Sequence, residues 1–109
     1  MATQYKILGQ AIPATNTLTT LYTCPSGSNT VVSTITICNQ ANSATFRIAV
    51  NTSSYAVSSN SYIVYDNFVN QYDSVFLTLG LTVGANDKVS VYSSTPNVSF
   101  NAFGTELTP

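Results

Sequence analysis

The segment ITICNQANSATFRIAV, residues 35–50, decides the fold. Isoleucine alternates with threonine and cysteine as far as Asn39, a short polar break follows, and Phe46, Ile48 and Val50 take up the two-residue period again. Side chains on a strand point alternately to opposite faces, so this pattern predicts two strands, each with one apolar face and one threonine-lined face. Paired as a hairpin, they would place Ile37 opposite Phe46 and Ile35 opposite Ile48, with Thr36 beside Arg47 on the other face. A slip of one residue would bury Arg47, the single arginine of the chain, at a cost of several kcal/mol. Arg47 is therefore expected on an outer face. There it either lies along the sheet near Asp66, Asp87 or Glu106, or turns its planar fork toward an acidic or carbonyl-lined site on a neighbouring subunit.

The same period recurs along the chain, and no window of helical spacing escapes interruption by turn formers. Strands are expected near residues 4–8, 18–23, 30–39, 44–51, 62–65, 73–83, 88–93 and 98–107. The breaks carry turn chemistry: CPSGSN at 24–29, NQANS at 39–43, GAND at 84–87 and STPN at 94–97. Seven to eight short strands at this spacing predict an all-β, two-sheet antiparallel sandwich, either immunoglobulin-like or jelly-roll in its connections. Residues 53–61 read as an exposed crossover loop. Residues 1–14, closed by Pro13, read as an N-terminal arm for a neighbouring chain, and residues 15–109 as the sandwich domain.

Charged residues make up 6% of the 109 positions, against about 25% in an ordinary soluble domain, so hydroxyls and amides carry the surface. A net charge of −1 without a basic cluster removes the electrostatic footprint of nucleic-acid or anionic-lipid binding. No apolar run approaches a membrane span, and the N-terminus lacks a leader pattern, which predicts synthesis and retention in a cytoplasm.

The inventory for catalysis is thin: no histidine, Glu106 as the single glutamate, and aspartates only at 66, 73 and 87. Without histidine, neither cysteine has the usual base, so no enzyme, catalytic residue, metal or cofactor is predicted. Asp66, Asp73 and Asp87 read as turn or cap residues. Cys24 and Cys38 are separated by about seven strand residues, more than ~20 Å at ~3.3 Å each, so free thiols are expected. Gly80, within LTLGLTV, is expected where a neighbour approaches closely. Clustered tyrosines offer the better binding surface, and the interface candidates are Arg47, Tyr55, Tyr62 and Tyr65, with Tyr5 and Ile7 on the arm.

Across YKILGQ (5–10), TLYT (20–23), VVSTITICN (31–39), TFRIAV (45–50), LTLGLTV (77–83), VSVYSS (89–94) and SFNAFGTE (99–106), the chain resembles small virion structural proteins of tailed phages, particularly phages of cyanobacteria and other aquatic bacteria. The resemblance implies a virion component, assembled in the host bacterial cytoplasm, and carries over no functional residues. Low charge independently suits extensive, salt-insensitive contacts, and sheet edges without lysine-rich strands call for pairing with other chains. The expected role is a capsid decoration (cement) protein on the outer head surface, bridging major capsid subunits as a homo-oligomer, with a trimer among the open arrangements. The alternatives are a tail, neck or fibre component, or a non-catalytic carbohydrate-binding module.

Overall fold

The computed structural model of the chain describes residues 2–52 and 56–108. Eight strands follow in order: β1 (Ala2–Ala11), β2 (Thr19–Thr23), β3 (Asn29–Asn39), β4 (Ala44–Asn51), β5 (Tyr62–Val69), β6 (Ser74–Val83), β7 (Lys88–Ser93) and β8 (Val98–Thr108). A 3-10 turn, Ser59–Ser61, precedes β5. The antiparallel pairs β1–β8, β2–β7, β3–β6 and β4–β5 nest inside one another, as in one long hairpin rolled up around a core. The roll gives two four-stranded sheets, the first ordered β1-β8-β3-β6 and the second β2-β7-β4-β5. This nested order is the jelly roll, which settles the choice that periodicity left open.

Residues 35–50 bury the side chains their pattern predicts, by a different pairing. β3 lies in the first sheet between β8 and β6, and β4 in the second between β7 and β5, so the expected hairpin is instead an arch from sheet to sheet. Ile35, Ile37, Phe46 and Ile48 are fully buried, facing one another across the core. Hairpin and arch hide the same alternate residues, and the hydrophobic pattern alone cannot separate them. Asn39 pins the arch: its buried amide donates to the carbonyls of Asn42 (2.7 Å), Val69 (3.2 Å) and Asn70 (3.1 Å), while its Oδ1 accepts from the Ala41 N–H. The two sheets meet at an edge-to-face contact of Phe46 with Phe100, ring centroids 6.2 Å apart. Each such buried side chain stabilises the fold by roughly 1.5–3 kcal/mol.

Residues 2–11, within the segment expected as an arm, form the edge strand of the first sheet. β5 runs to Val69 rather than ending near Tyr65, because an irregularity in its register takes up Tyr65 and Asp66 and pairing resumes at Asn67. Among the described residues, none makes the close approach expected at Gly80, where a side chain would point into open space. Gly9 and Gly104 are crowded positions: a Cβ at Gly9 would collide with the Leu21 carbonyl, and one at Gly104 with the Val31 carbonyl, where β8 passes between irregularities in β1 and β3. Both cysteines are free, Cys24 buried and Cys38 half-buried.

Candidate interaction surfaces

The outer face of the first sheet follows from its registers. One row reads Phe76, Thr36, Asn101, Gln10; the next Thr78, Thr34, Phe103, Ile7; a third Thr82, Val31, Thr105, Tyr5. None of these positions is charged. Tyr5, Ile7 and Phe76 are 84%, 54% and 71% exposed, so large apolar side chains stand in solvent among hydroxyls and amides. Tyr5 and Ile7 stand at the β1 edge of this face and Phe76 at the β6 edge, which makes it a candidate interaction surface, although β5 of the other sheet also exposes Tyr65 and Phe68.

The first sheet places its charge on the inner side. Glu106 on β8, 7% exposed, receives a 2.5 Å hydrogen bond from the Tyr22 hydroxyl of β2 and a 2.9 Å ion pair from Lys6 of β1. The Tyr22 hydroxyl also lies 2.8 Å from Thr30 Oγ1 on β3. A phenol has one proton, and Tyr22 gives it to the carboxylate, so Thr30 donates to Tyr22. The cluster joins three strands of the first sheet to one of the second. The Tyr22 hydrogen bond, followed by the Lys6 charge, outweighs burial and holds the Glu106 carboxyl below its ordinary range, while burial and the same bond push the Tyr22 phenol upward.

The second sheet places its charge outward. Arg47 on β4 stands opposite Tyr92 of β7, and on its other side two residues of β5, Tyr65 and Asp66, fall between the registered pairs Phe46–Asn67 and Ile48–Val64. Two residues opposing one is a β-bulge, and Asp66 takes the left-handed φ of 52° that aspartate tolerates better than most residues. The bulge thereby aims both a ring and a carboxylate at the same guanidinium. Arg47 Nε lies 2.6 Å from Asp66 Oδ1 and Nη2 3.2 Å from Oδ2, with Tyr65 and Tyr92 rings 4.2 and 4.3 Å from its central carbon. Its hydrogen bonds to Asp66 raise the affinity of Arg47 for its proton and lower that of the Asp66 carboxyl. Tyr92 extends the arrangement by donating to Asn16 Oδ1 at 2.7 Å, tying in the β1–β2 connection.

The structure therefore brings Arg47, Tyr62 and Tyr65 together on one sheet and Tyr5 with Ile7 on the other, while Tyr55 lies outside the described residues. Of the partners considered for Arg47, Asp66 is the one it meets, so Asp66 sits in a strand bulge rather than a turn. Glu106 belongs to Lys6. Asp87 caps its turn as expected, accepting from the Gly84 N–H at 2.8 Å. Sequence reasoning missed Phe76 and Tyr92. The alternation VFLTLGLTV carried the signal for Phe76, which falls out of phase with the inward Val75, Leu77 and Leu79. Among the described residues, no group of three or more His, Cys, Asp or Glu converges as a metal site would require.

No protein-family model and no curated protein sequence matches the chain. Solved structures do share its fold. A chain of the T13 IBDV viral particle superposes with a TM-score of 0.55 at 9% identity, over 95% of this chain and 30% of that one. The infectious bursal disease virus Gx strain gives a TM-score of 0.57 at 9% identity, over 96% and 31%. This chain thus spans about 30% of the length of the viral chains it matches. A pentameric capsid protein isolated from metagenomic phage sequences aligns at 20% identity over 92% and 61%, but its TM-score of 0.40 is too low to bear on fold or function. The class defined is an eight-stranded jelly-roll sandwich, a fold shared with chains of these virus particles.

Proposed function

We propose that the chain is a virion structural protein: a decoration (cement) protein seated on the outer surface of a phage head, where copies bridge major capsid subunits. The observation that carries this reading is the uncharged outer face of the first sheet, with Phe76, Ile7 and Tyr5 exposed among threonines and amides. Such a face docks on an equally uncharged, hydroxyl- and aromatic-lined surface by exclusion of water, without counter-charges. The jelly-roll fold and the resemblance to phage virion proteins support the same reading.

Segment 1–14 takes the arm's role within it. Thr3 to Ile7 are exposed on both faces of β1, so this half-strand is held by backbone pairing to β8 and by the Lys6–Glu106 ion pair. Offered to β8 of a neighbouring copy, the same pairing would exchange arms and preserve those contacts.

The test is reattachment of purified protein to heads lacking it. Wild type is expected to saturate heads at a copy number on the scale of the capsid subunits, and to stay bound as salt rises from about 0.1 to about 1 M, because no long-range charge is involved. Phe76→Lys, placing a charge in the contact, should abolish attachment while the isolated protein stays folded. Attachment by Phe76→Lys at wild-type level would sink the docking face. A copy number of a dozen or fewer would move the protein to the tail or neck.

A further inference from the structure

At the β5 edge of the second sheet, Val57, Ser58 and Ser59 face Tyr62 and Tyr65 across an open hollow of about 560 Å³. The two rings stand at 83° with centroids 5.0 Å apart, forming an aromatic corner. Tyr65 is 60% exposed yet held in place, with the Arg47 guanidinium 4.2 Å from its ring and the Asp66 carboxylate fixing that guanidinium. The Ser58 backbone is fixed as well, its N–H donating to Ser61 Oγ at 3.2 Å and its hydroxyl to Asn60 Oδ1 at 2.5 Å. This is a preorganised concave site with aromatic walls and a hydroxyl-bearing rim.

We propose that this corner binds a neutral pyranose unit of a polysaccharide, one apolar C–H face of the sugar lying on a tyrosine ring and its hydroxyls meeting Ser58, Ser59 and the phenols. The volume suits one or two sugar rings. Neutrality follows from the rim: the charges beside the hollow, Arg47 and Asp66, cancel in one ion pair, leaving no unbalanced cation for an acidic ligand. An open hydroxyl-bearing corner fits a ligand apolar on one face and polar at its edges better than an apolar peptide anchor, which needs an enclosed pocket. The site lies on the sheet opposite the proposed docking face, so a docked protein would present it outward. The inference rests on the docking reading for that orientation alone.

The experiment is a titration of the full chain, labelled with nitrogen-15, with maltohexaose, cellohexaose and mannohexaose, and with an anionic galacturonate oligomer as the charged control. Saturable shifts confined to residues 57–65 are expected from at least one neutral oligomer, with Kd on the order of 1 mM. Tyr62→Ala should weaken that binding by roughly tenfold or more, and Tyr62→Phe, which keeps the ring, should retain most of it. Phe76→Lys should bind sugar as wild type does, so loss of head attachment and loss of sugar binding are read separately. The proposal is overturned if no neutral oligomer gives saturable shifts up to about 20 mM. Preference for the anionic oligomer overturns it too, as does a Tyr62→Ala protein that falls off heads while binding sugar normally, which would make the hollow a protein contact.

Discussion

The two sheets of the sandwich dispose of charge in opposite ways. The first turns Lys6 and Glu106 toward the interior side and shows the solvent threonines, amides and aromatics. The second packs apolar residues inward and sets Arg47 and Asp66 outside between two tyrosine rings. Four of the seven charged side chains are thereby spent in two ion pairs, one per sheet. The difference teaches that a nearly uncharged chain places its charges by role. The inner pair belongs to a cluster whose Tyr22–Glu106 bond fastens sheet to sheet, while the outer pair braces Tyr65 and Tyr92 at the solvent.

Removing the inner pair should have the largest effect. Glu106→Ala strips the acceptor from Tyr22 and the partner from Lys6 at a buried position, and is expected to cost roughly 2–4 kcal/mol, or about 10–20 °C in Tm. Tyr22→Phe removes one hydroxyl and leaves Glu106 and Thr30 without it, for about 1–2 kcal/mol. Thermal melts followed by circular dichroism measure both. If Glu106→Ala melts within a degree or two of wild type, the inner cluster does not fasten the sheets and the contrast between the pairs fails.

Acid should separate the pairs next. The folded-state pKa of Glu106 lies below the ordinary 4.5, so the unfolded chain binds its proton first as pH falls. The stability contributed by this carboxylate is complete above about pH 4.5 and is lost as pH drops through the folded value. Asp66 follows the same sign, its loss beginning below the ordinary 3.8 and remaining small because the group is exposed to screening water. Denaturant melts from pH 6 to pH 3 should therefore show a first decline that Glu106→Gln removes. A decline unchanged in Glu106→Gln would assign it to other carboxylates.

How much of this was legible in the sequence follows from what a period of two encodes. It fixes which face a side chain takes, so the burial of Ile35, Ile37, Phe46 and Ile48 and the outward position of Arg47 could be read directly. It does not encode which sheet a strand joins, and the arch at 40–43 looks the same as a hairpin from the pattern alone. The partner of Arg47 depended on a bulge that sets Tyr65 and Asp66 opposite one residue, an irregularity with no periodic signature. Tyr92 was hidden for a related reason: it meets Arg47 because β4 and β7 are neighbours, a contact between strands distant in sequence. The face that Tyr5 and Ile7 share with Phe76 emerges only from the β1-β8-β3-β6 order.

Arg47→Lys should have the smallest effect, and it tests the contrast from the other side. Lysine keeps the charge but loses the planar fork that reaches both Asp66 oxygens and the flat face that stacks between Tyr65 and Tyr92. The pair is exposed to screening water, so Tm should move by no more than roughly 3 °C. The local readout should be larger: ring-current shifts around Tyr65 and Tyr92 should collapse toward unstacked values, and the Tyr92 bond to Asn16 should loosen. Head attachment should not change, because docking is assigned to the opposite sheet. Should Arg47→Lys protein melt normally yet fail to attach, docking has been assigned to the wrong sheet, and the guanidinium between the tyrosines is the anchor to the particle.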